Sequence, residues 1–162
     1  MFAFNLYLCD NFCMNKEVFM RLALKEAEKA RKKNEVPIGA VIVKDGKIIS
    51  NGYNQREKKQ NAILHAEVVA INKACKKLKS WRLNDCDIYV SLEPCLMCFG
   101  AILNARIKNL YYGAYDKSGS SISANEGLFE KAILNHKTNV EGGILEEECS
   151  KILTDFFKEN RR

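Results

Sequence analysis

The sequence predicts an α/β protein built on a mixed five-stranded sheet with helices on both faces. Helical segments with apolar residues every three or four positions alternate with short runs typical of strands. The first half contains a hairpin signal. From the second strand of that hairpin onward, the order is strand, helix, strand, helix, strand. The hairpin requires antiparallel pairing and the alternating half favours parallel pairing through right-handed crossovers. At 162 residues, the chain is most simply one domain.

The N-terminal elements are a helix followed by a hairpin. Residues 16–33 place apolar side chains on one face, which predicts an amphipathic helix. Residues 38–43 and 47–53 resemble strands, and Asp45-Gly46 between them is a strong turn signal. We therefore expect a two-stranded hairpin directly after the first helix.

The elements of the second half follow in alternation. Residues 65–79 have helical periodicity without Pro or Gly, and residues 87–91 read as a strand. Pro94 precedes a second apolar helix over 96–105, and a strand over 109–113 comes next. The Ser-, Gly- and Asn-rich segment 116–127 predicts a long exposed loop. A C-terminal helix is indicated by an apolar stripe formed by Leu145, Cys149, Ile152, Leu153 and Phe156.

Composition limits the partners and the compartment of the protein. A formal net charge of +6 and a pI near 8.9 permit an anionic partner such as RNA, although many basic proteins bind no nucleic acid. The seven cysteines are an odd number without a closely spaced disulfide framework. This pattern favours a reducing, cytoplasmic location.

The first thirteen residues differ from the rest of the chain. They are apolar but contain no Lys or Arg, so they lack the positive start of a signal peptide. No apolar stretch reaches the roughly 18 residues that a membrane-spanning helix needs, and we expect no membrane association. We interpret residues 1–13 as an N-terminal extension, peripheral to a single domain over residues 14–162.

Two short motifs supply the ligands of a metal site. His65-Ala66-Glu67 begins one predicted helix, and Pro94-Cys95-Leu96-Met97-Cys98 begins another. His65, Cys95 and Cys98 provide three zinc ligands, and catalytic zinc sites keep three protein ligands with the fourth position open for water. Glu67 lies two residues from His65, within reach of such a water without ligating the metal, which suits a general acid/base.

A structural zinc site is the main alternative interpretation of the same residues. A single Cys-x-x-Cys pair also occurs in zinc ribbons, in redox pairs and among ordinary buried cysteines. A fourth ligand from Cys75, Cys86, Cys149 or His136 would close the site. Cys75 and Cys149 lie on apolar helical stripes, where a small buried side chain is the simpler explanation.

The paired motif resembles that of the zinc-dependent nucleoside and nucleobase deaminases, and the chain as a whole resembles more closely the bacterial tRNA wobble adenosine deaminases. The resemblance covers nearly everything from Met14 onward. It rests on Met20-Arg21-Leu22-Ala23, Glu35-Val36-Pro37-Ile38-Gly39-Ala40-Val41, Gly52-Tyr53-Asn54, His65-Ala66-Glu67, Leu92-Glu93-Pro94-Cys95, Gly113-Ala114-Tyr115-Asp116, Glu141-Gly142-Gly143-Ile144-Leu145 and Asp155-Phe156-Phe157.

The resemblance implies a cytidine deaminase-like three-layer α/β/α sandwich with one Zn²⁺ per chain. It implies hydrolytic deamination of adenosine to inosine at the wobble position, with Glu67 moving the protons. The expected partners are a tRNA anticodon stem-loop and a second copy of the chain in a homodimer.

The resemblance also implies that Asn54, Ala66, Asp116 and Phe157 contact the substrate. Each residue has a simpler interpretation from the sequence alone. Asn54 follows a strand, Ala66 begins a helix, and Asp116 opens a polar loop. Phe157 belongs to a C-terminal helix that the apolar stripe alone explains as a core helix, although Phe157 is offset from that stripe. The basic end of this helix contains Lys158, Arg161 and Arg162.

Two other functions remain open at this point. A deaminase of a free nucleoside, nucleotide or guanine would share the zinc motif without needing a broad RNA surface. A non-catalytic RNA-binding protein with structural zinc would require a fourth protein ligand.

Overall fold

The computed structural model describes residues 4–130 and 136–160 and contains one five-stranded sheet in the order β2-β1-β3-β4-β5. The strands are β1 (Gly39–Lys44), β2 (Lys47–Tyr53), β3 (Cys86–Leu92), β4 (Asn109–Ala114) and β5 (Asn139–Glu141). The helices are α1 (Phe4–Arg31), α2 (Arg56–Lys59), α3 (Ala66–Leu78), α4 (Leu96–Asn104), α5 (Glu126–Glu130) and α6 (Glu146–Glu159), with a 3₁₀ turn at Ser123–Asn125.

The sheet combines both kinds of pairing, as the sequence predicts. Strand β1 pairs antiparallel with β2 and with β3, whereas β3, β4 and β5 are parallel neighbours. Asp45 and Gly46 form the tight turn between β1 and β2, with φ values of 50° and 70°. Positive φ at both central residues matches the twist of the flanking strands. The prediction of a mixed sheet is confirmed.

Strand β1 shows why the fold has three layers. Its side chains alternate between the two faces of the sheet, because successive residues in a strand point to opposite sides. Ala40 and Ile42 belong to a core cluster with residues of α3 and α4, whereas Val41 and Val43 pack with residues of α1 and α6. Helices therefore cover both faces, which confirms the α/β/α sandwich.

The first helix is longer than the predicted segment 16–33. It runs from Phe4 to Arg31, so residues 4–13 continue the helix toward the N-terminus. Residues 1–3 and the side chains of residues 4–15 lie outside the described part of the structure. The interpretation of residues 1–13 as a peripheral extension therefore stays a prediction. None of the described helices is long and apolar enough to span a membrane.

The segment after β4 departs from the predicted exposed loop. Ser121 and Ile122 are buried, and Ser121 forms an isolated β-bridge with Cys95. The loop is anchored at this point by backbone pairing with the start of α4, a long-range contact that local composition does not reveal. The prediction of exposure is wrong for these two residues.

Candidate active site

The starts of α3 and α4 bring the two sequence motifs together. His65 is the N-cap of α3 and Cys95 is the N-cap of α4, both with extended backbone angles. Cys98 lies three residues beyond Cys95, so the two cysteines face the same side of the start of α4. The first backbone N–H groups of a helix carry partial positive charge, which favours thiolates at this position.

The three predicted metal ligands form one cluster. The Sγ atoms of Cys95 and Cys98 lie 3.7 and 3.5 Å from Nδ1 of His65. Their ligand atoms all lie within 4.8 Å of one another, and no other His, Cys, Asp or Glu among the described residues joins the group.

The residues that could have closed a four-ligand site lie elsewhere. The imidazole of His136 lies 2.8 Å from the carbonyl oxygen of Ile107, and Cys149 packs in the core on the opposite face of the sheet. Cys86 belongs to the core cluster around α3 and α4, and Cys75 packs against that cluster. Within the described part of the chain, the cluster therefore has the three-ligand composition of a catalytic site rather than the closed set of a structural one.

Glu67 provides the geometric test of whether a zinc site fits here. Its side chain is 3% exposed, and its Oε2 atom has no hydrogen-bond partner. Burying a carboxylate oxygen without a partner is costly, so such an atom indicates a missing partner. Two thiolates and an imidazole are ligands that Zn²⁺ prefers, and Glu67 remains outside the cluster. The residues therefore fit a zinc ion with a water beside Glu67.

The electrostatics agree with these roles. A hydrogen bond with Cys98, followed by one with His65, lowers the pKa of the Cys95 thiol to about 4. Cys95 is therefore a thiolate at neutral pH, the form that binds metal. Burial raises the pKa of the Glu67 carboxyl. A raised pKa strengthens the affinity of Glu67 for a proton, as a general base near neutral pH requires.

A cavity of about 570 Å³ opens in front of this cluster. His65, Glu67 and Cys95 lie in its wall, together with Asp116 and Phe157. This volume is in the range of small-ligand sites. Five of the predicted site residues thus share one cavity.

The other predicted residues are placed differently. Cys98 and Ala66 are fully buried, Asn54 is almost fully buried, and none of the three lines the cavity. The Oδ1 atom of Asn54 nevertheless has no hydrogen-bond partner, the same condition as Oε2 of Glu67. Of the side-chain atoms that the structure describes, these two are the buried polar atoms left without a partner. This unpartnered oxygen is a feature of Asn54 that its position in the sequence does not reveal.

Asp116 and Phe157 both line the cavity, one from the loop after β4 and the other from α6. The Asp116 carboxylate accepts hydrogen bonds from the backbone N–H and the hydroxyl of Ser118, at 2.9 and 2.6 Å. Its carboxylate therefore shapes its own loop. Phe157 is 52% exposed and packs edge-on against Phe156, with 5.5 Å between ring centroids. An exposed aromatic ring at a cavity wall is suited to stacking on a base.

Glu93 is a site residue that the sequence reasoning missed. It lines the cavity, is 2% exposed, and accepts hydrogen bonds from the backbone N–H groups of Asp116 and Ser123 at 3.0 and 2.8 Å. Its carboxylate thereby holds Asp116 and Ser123, two points of the loop after β4, against the segment between β3 and α4. The sequence offered one signal for this role, because Glu93 is a charged residue directly after an apolar strand, where a buried side chain is expected.

Helix α6 contributes more to the cavity than the sequence suggests. Besides Phe157, it places Ser150, Leu153 and Thr154 in the wall. Arg161 and Arg162, the basic end expected near RNA, lie outside the described residues.

The three-layer fold and the three-ligand cluster with a buried glutamate define a deaminase of the cytidine deaminase type. The family model of the MafB19-like deaminases matches residues 14–161. The chain is 45% identical over 146 residues to the tRNA-specific adenosine deaminase of Bacillus subtilis (strain 168), covering 90% of this chain and 91% of that protein. The chain therefore belongs to the MafB19-like deaminases and, among them, to the family of tRNA-specific adenosine deaminases.

Solved structures of deaminases have the same fold. A structure from a study of A-to-I editing by tRNA:A34 deaminases at the wobble position of transfer RNA superposes with a TM-score of 0.79 at 43% identity, covering 83% of this chain and 98% of that chain. The guanine deaminase of Bacillus subtilis superposes with a TM-score of 0.61 at 34% identity, covering 90% of this chain and 96% of that chain.

Proposed function

We propose that the protein hydrolytically deaminates adenosine to inosine at the wobble position of a tRNA anticodon, using one Zn²⁺ held by His65, Cys95 and Cys98. The observation that carries this proposal is the buried Glu67 carboxylate, whose Oε2 atom has no partner beside a three-ligand cluster. The 45% identity to a tRNA-specific adenosine deaminase supports the choice of substrate.

The chemistry divides between the metal and Glu67. When bound, zinc supplies Lewis acidity that brings the pKa of a coordinated water to about 7. Glu67 takes a proton from the water that attacks C6 of adenine and delivers a proton to N1. It later assists the departure of ammonia. Because burial raises the pKa of Glu67, the carboxylate holds the proton between these steps.

We assign the holding of the base to Asn54 and Ala66, which are buried next to residues that line the cavity. The unpartnered Oδ1 of Asn54 accepts a hydrogen bond from the purine edge, and its amide N–H group can donate one. Ala66 is the first residue of α3, so its backbone N–H has no partner within the helix. These groups fix the orientation of the purine relative to Glu67.

The outer wall of the cavity recognises the RNA. Phe157 stacks on a base of the anticodon loop, and the loop that begins at Asp116 borders the nucleotide. A wobble base already lies partly outside the stack, so little energy is needed to flip it into the cavity. We further propose that the protein acts as a homodimer on the anticodon stem-loop in the cytoplasm, where reducing conditions keep Cys95 and Cys98 from forming disulfides.

Purified, zinc-loaded protein tests this function on total tRNA, on an anticodon stem-loop with adenosine at the wobble position, and on free adenosine, cytidine and guanine. We expect inosine to form in the tRNA and the stem-loop, with no turnover of the free compounds. A stem-loop with guanosine at the wobble position is the matched negative control.

Guanine deamination is a second candidate, because the guanine deaminase of Bacillus subtilis has the same fold at 34% identity. Turnover of free guanine without inosine formation in tRNA would establish that function instead.

A further inference from the structure

A second, smaller cavity lies beside the first and is surrounded by lysines. Its volume is about 260 Å³. The residues that line it, called the lysine cleft below, are Lys33, Glu35, Tyr53, Gln55, Lys58 and Lys59.

Glu35, the acidic residue that lines the lysine cleft, forms hydrogen bonds with backbone N–H groups. Glu35 is 1% exposed, and its two carboxylate oxygens accept the backbone N–H groups of Glu57 and Lys58 at 3.2 and 2.7 Å. It therefore fixes the start of α2 instead of presenting a negative charge to solvent. The three ammonium groups outnumber this single carboxylate, so the lysine cleft is positively charged.

The lysines differ from the cations on the α1–α6 side of the molecule. There, Lys16 pairs with Glu141, Arg21 with Glu148, Lys29 with Glu26, Arg31 with Glu159 and Lys151 with Asp155. Among the side chains that the structure describes, Lys33, Lys58 and Lys59 form no salt bridge. All three are exposed, so their charge is available to a ligand in solution.

Lys33 is held in position by an aromatic ring. Its Nζ lies 4.6 Å from the centre of the Tyr53 ring and donates a hydrogen bond to the Tyr53 hydroxyl. Contact with the ring restricts the rotamers of a long side chain, which lowers the entropy that binding would otherwise cost. Lys33 is thus oriented before any ligand arrives.

Residues that are close together in the sequence line the lysine cleft and the catalytic cavity. Lys33 and Glu35 line the lysine cleft, whereas Val36 and Ile38 line the catalytic cavity. Tyr53 lines the lysine cleft directly before Asn54, whose backbone N–H bonds to the carbonyl of Ile38. A polymer with one nucleotide in the catalytic cavity would therefore pass close to the lysine cleft.

We propose that the lysine cleft binds backbone phosphates of the RNA substrate, outside the nucleotide that enters the catalytic cavity. This inference rests on the proposed function. Ammonium groups that form no salt bridge, around a carboxylate already bound to backbone N–H groups, fit a polyanion, and lysines neutralise phosphates without reading sequence.

The test compares two double variants that each remove two positive charges from exposed helical lysines. Lys58→Gln/Lys59→Gln removes charge from the lysine cleft. Lys76→Gln/Lys77→Gln removes the same charge from the last turn of α3, in residues that line neither cavity. Binding of the anticodon stem-loop is measured by fluorescence anisotropy over a series of salt concentrations, with zinc content and melting temperature as folding controls.

We expect the lysine cleft variant to raise Kd about tenfold at low salt and to reduce the slope of log Kd against log salt by about 1 to 2. The α3 variant should retain the wild-type slope. Equal effects of the two variants would show that RNA binding depends on the net charge of the protein and not on the lysine cleft. That result would overturn the proposal. Wild-type inosine formation in the same stem-loop is measured in parallel. Its absence contradicts the proposed function, whereas its presence with equal effects of the two variants contradicts the lysine cleft alone.

Discussion

The candidate centre, formed by the cluster of His65, Cys95 and Cys98 together with Glu67, is assembled differently from the rim, formed by Asp116, Thr154 and Phe157. The centre comes from two helix starts, with His65 and Cys95 at the N-cap positions of α3 and α4 and Cys98 in the first turn of α4. The rim combines a loop with the exposed side of α6. Helix starts place atoms accurately for chemistry, whereas loops and exposed faces leave recognition open to variation.

This contrast predicts that changes at the centre abolish turnover of every substrate, whereas changes at the rim alter the use of RNA.

Replacing Cys98 by Ala should remove stoichiometric zinc and all deamination, because two ligands cannot hold the ion tightly. Zinc is measured by elemental analysis, and activity by inosine formation in the stem-loop. Cys149→Ala is the control, since Cys149 packs in the core on the other face of the sheet. A zinc-free Cys149 variant would show that the ligand set is wrong.

Glu67→Gln should retain about one zinc per chain while deamination falls by roughly 10²-fold or more, the scale for losing a general acid/base. The amide keeps the shape of the side chain but cannot accept the proton. Single-turnover kinetics measures the chemical step directly. If this variant lost its metal, Glu67 would have to be reassigned as a ligand.

Glu93→Ala should lower kcat/KM for the stem-loop roughly ten- to hundredfold, because the loop that carries Asp116 loses both of its carboxylate anchors. Zinc content should be retained. Glu93→Gln keeps one carbonyl oxygen as an acceptor and should give an intermediate loss. Glu126→Ala changes an exposed acid in the same segment and serves as the control. Loss of zinc in Glu93→Ala would assign the residue to the centre rather than to the rim.

Phe157→Ala should raise KM for the stem-loop about tenfold, since a stacked aromatic contributes about 1–3 kcal/mol. Phe157 is half exposed, so the melting temperature should change little. Trp81→Ala removes an equally exposed aromatic that does not line the catalytic cavity and is the matched control. An unchanged KM in a folded Phe157 variant would favour a small-molecule substrate.

The same division appears in what could be predicted from the sequence. The predicted hairpin over residues 38–53 agrees with β1 and β2 to within one residue, because hydrophobic alternation and the Asp45-Gly46 turn are local signals. Strand β5 has three exposed residues and no apolar pattern, so its position became evident only in the sheet.

For the candidate site, the sequence predicted the ligands but not their surroundings. His65, Cys95 and Cys98 could be assigned from their spacing and from the family resemblance, since each motif fits within one helical turn. Periodicity alone could not exclude Cys75, Cys86, Cys149 or His136 as a fourth ligand. Those residues were excluded only by the distances between elements in the folded chain.

The sequence by itself determined the main helices, the first four strands and the hairpin turn, because these depend on interactions within a few residues. It also predicted the cluster of His65, Cys95 and Cys98 from two short motifs. Only the tertiary structure decided the burial of Ser121, the two loop contacts of Glu93 and the unpartnered oxygens of Asn54 and Glu67. These features depend on atoms that are distant in sequence and meet only when the sheet and its covering helices have packed. A carboxylate at a given position is therefore catalytic, anchoring or solvated according to its three-dimensional neighbours.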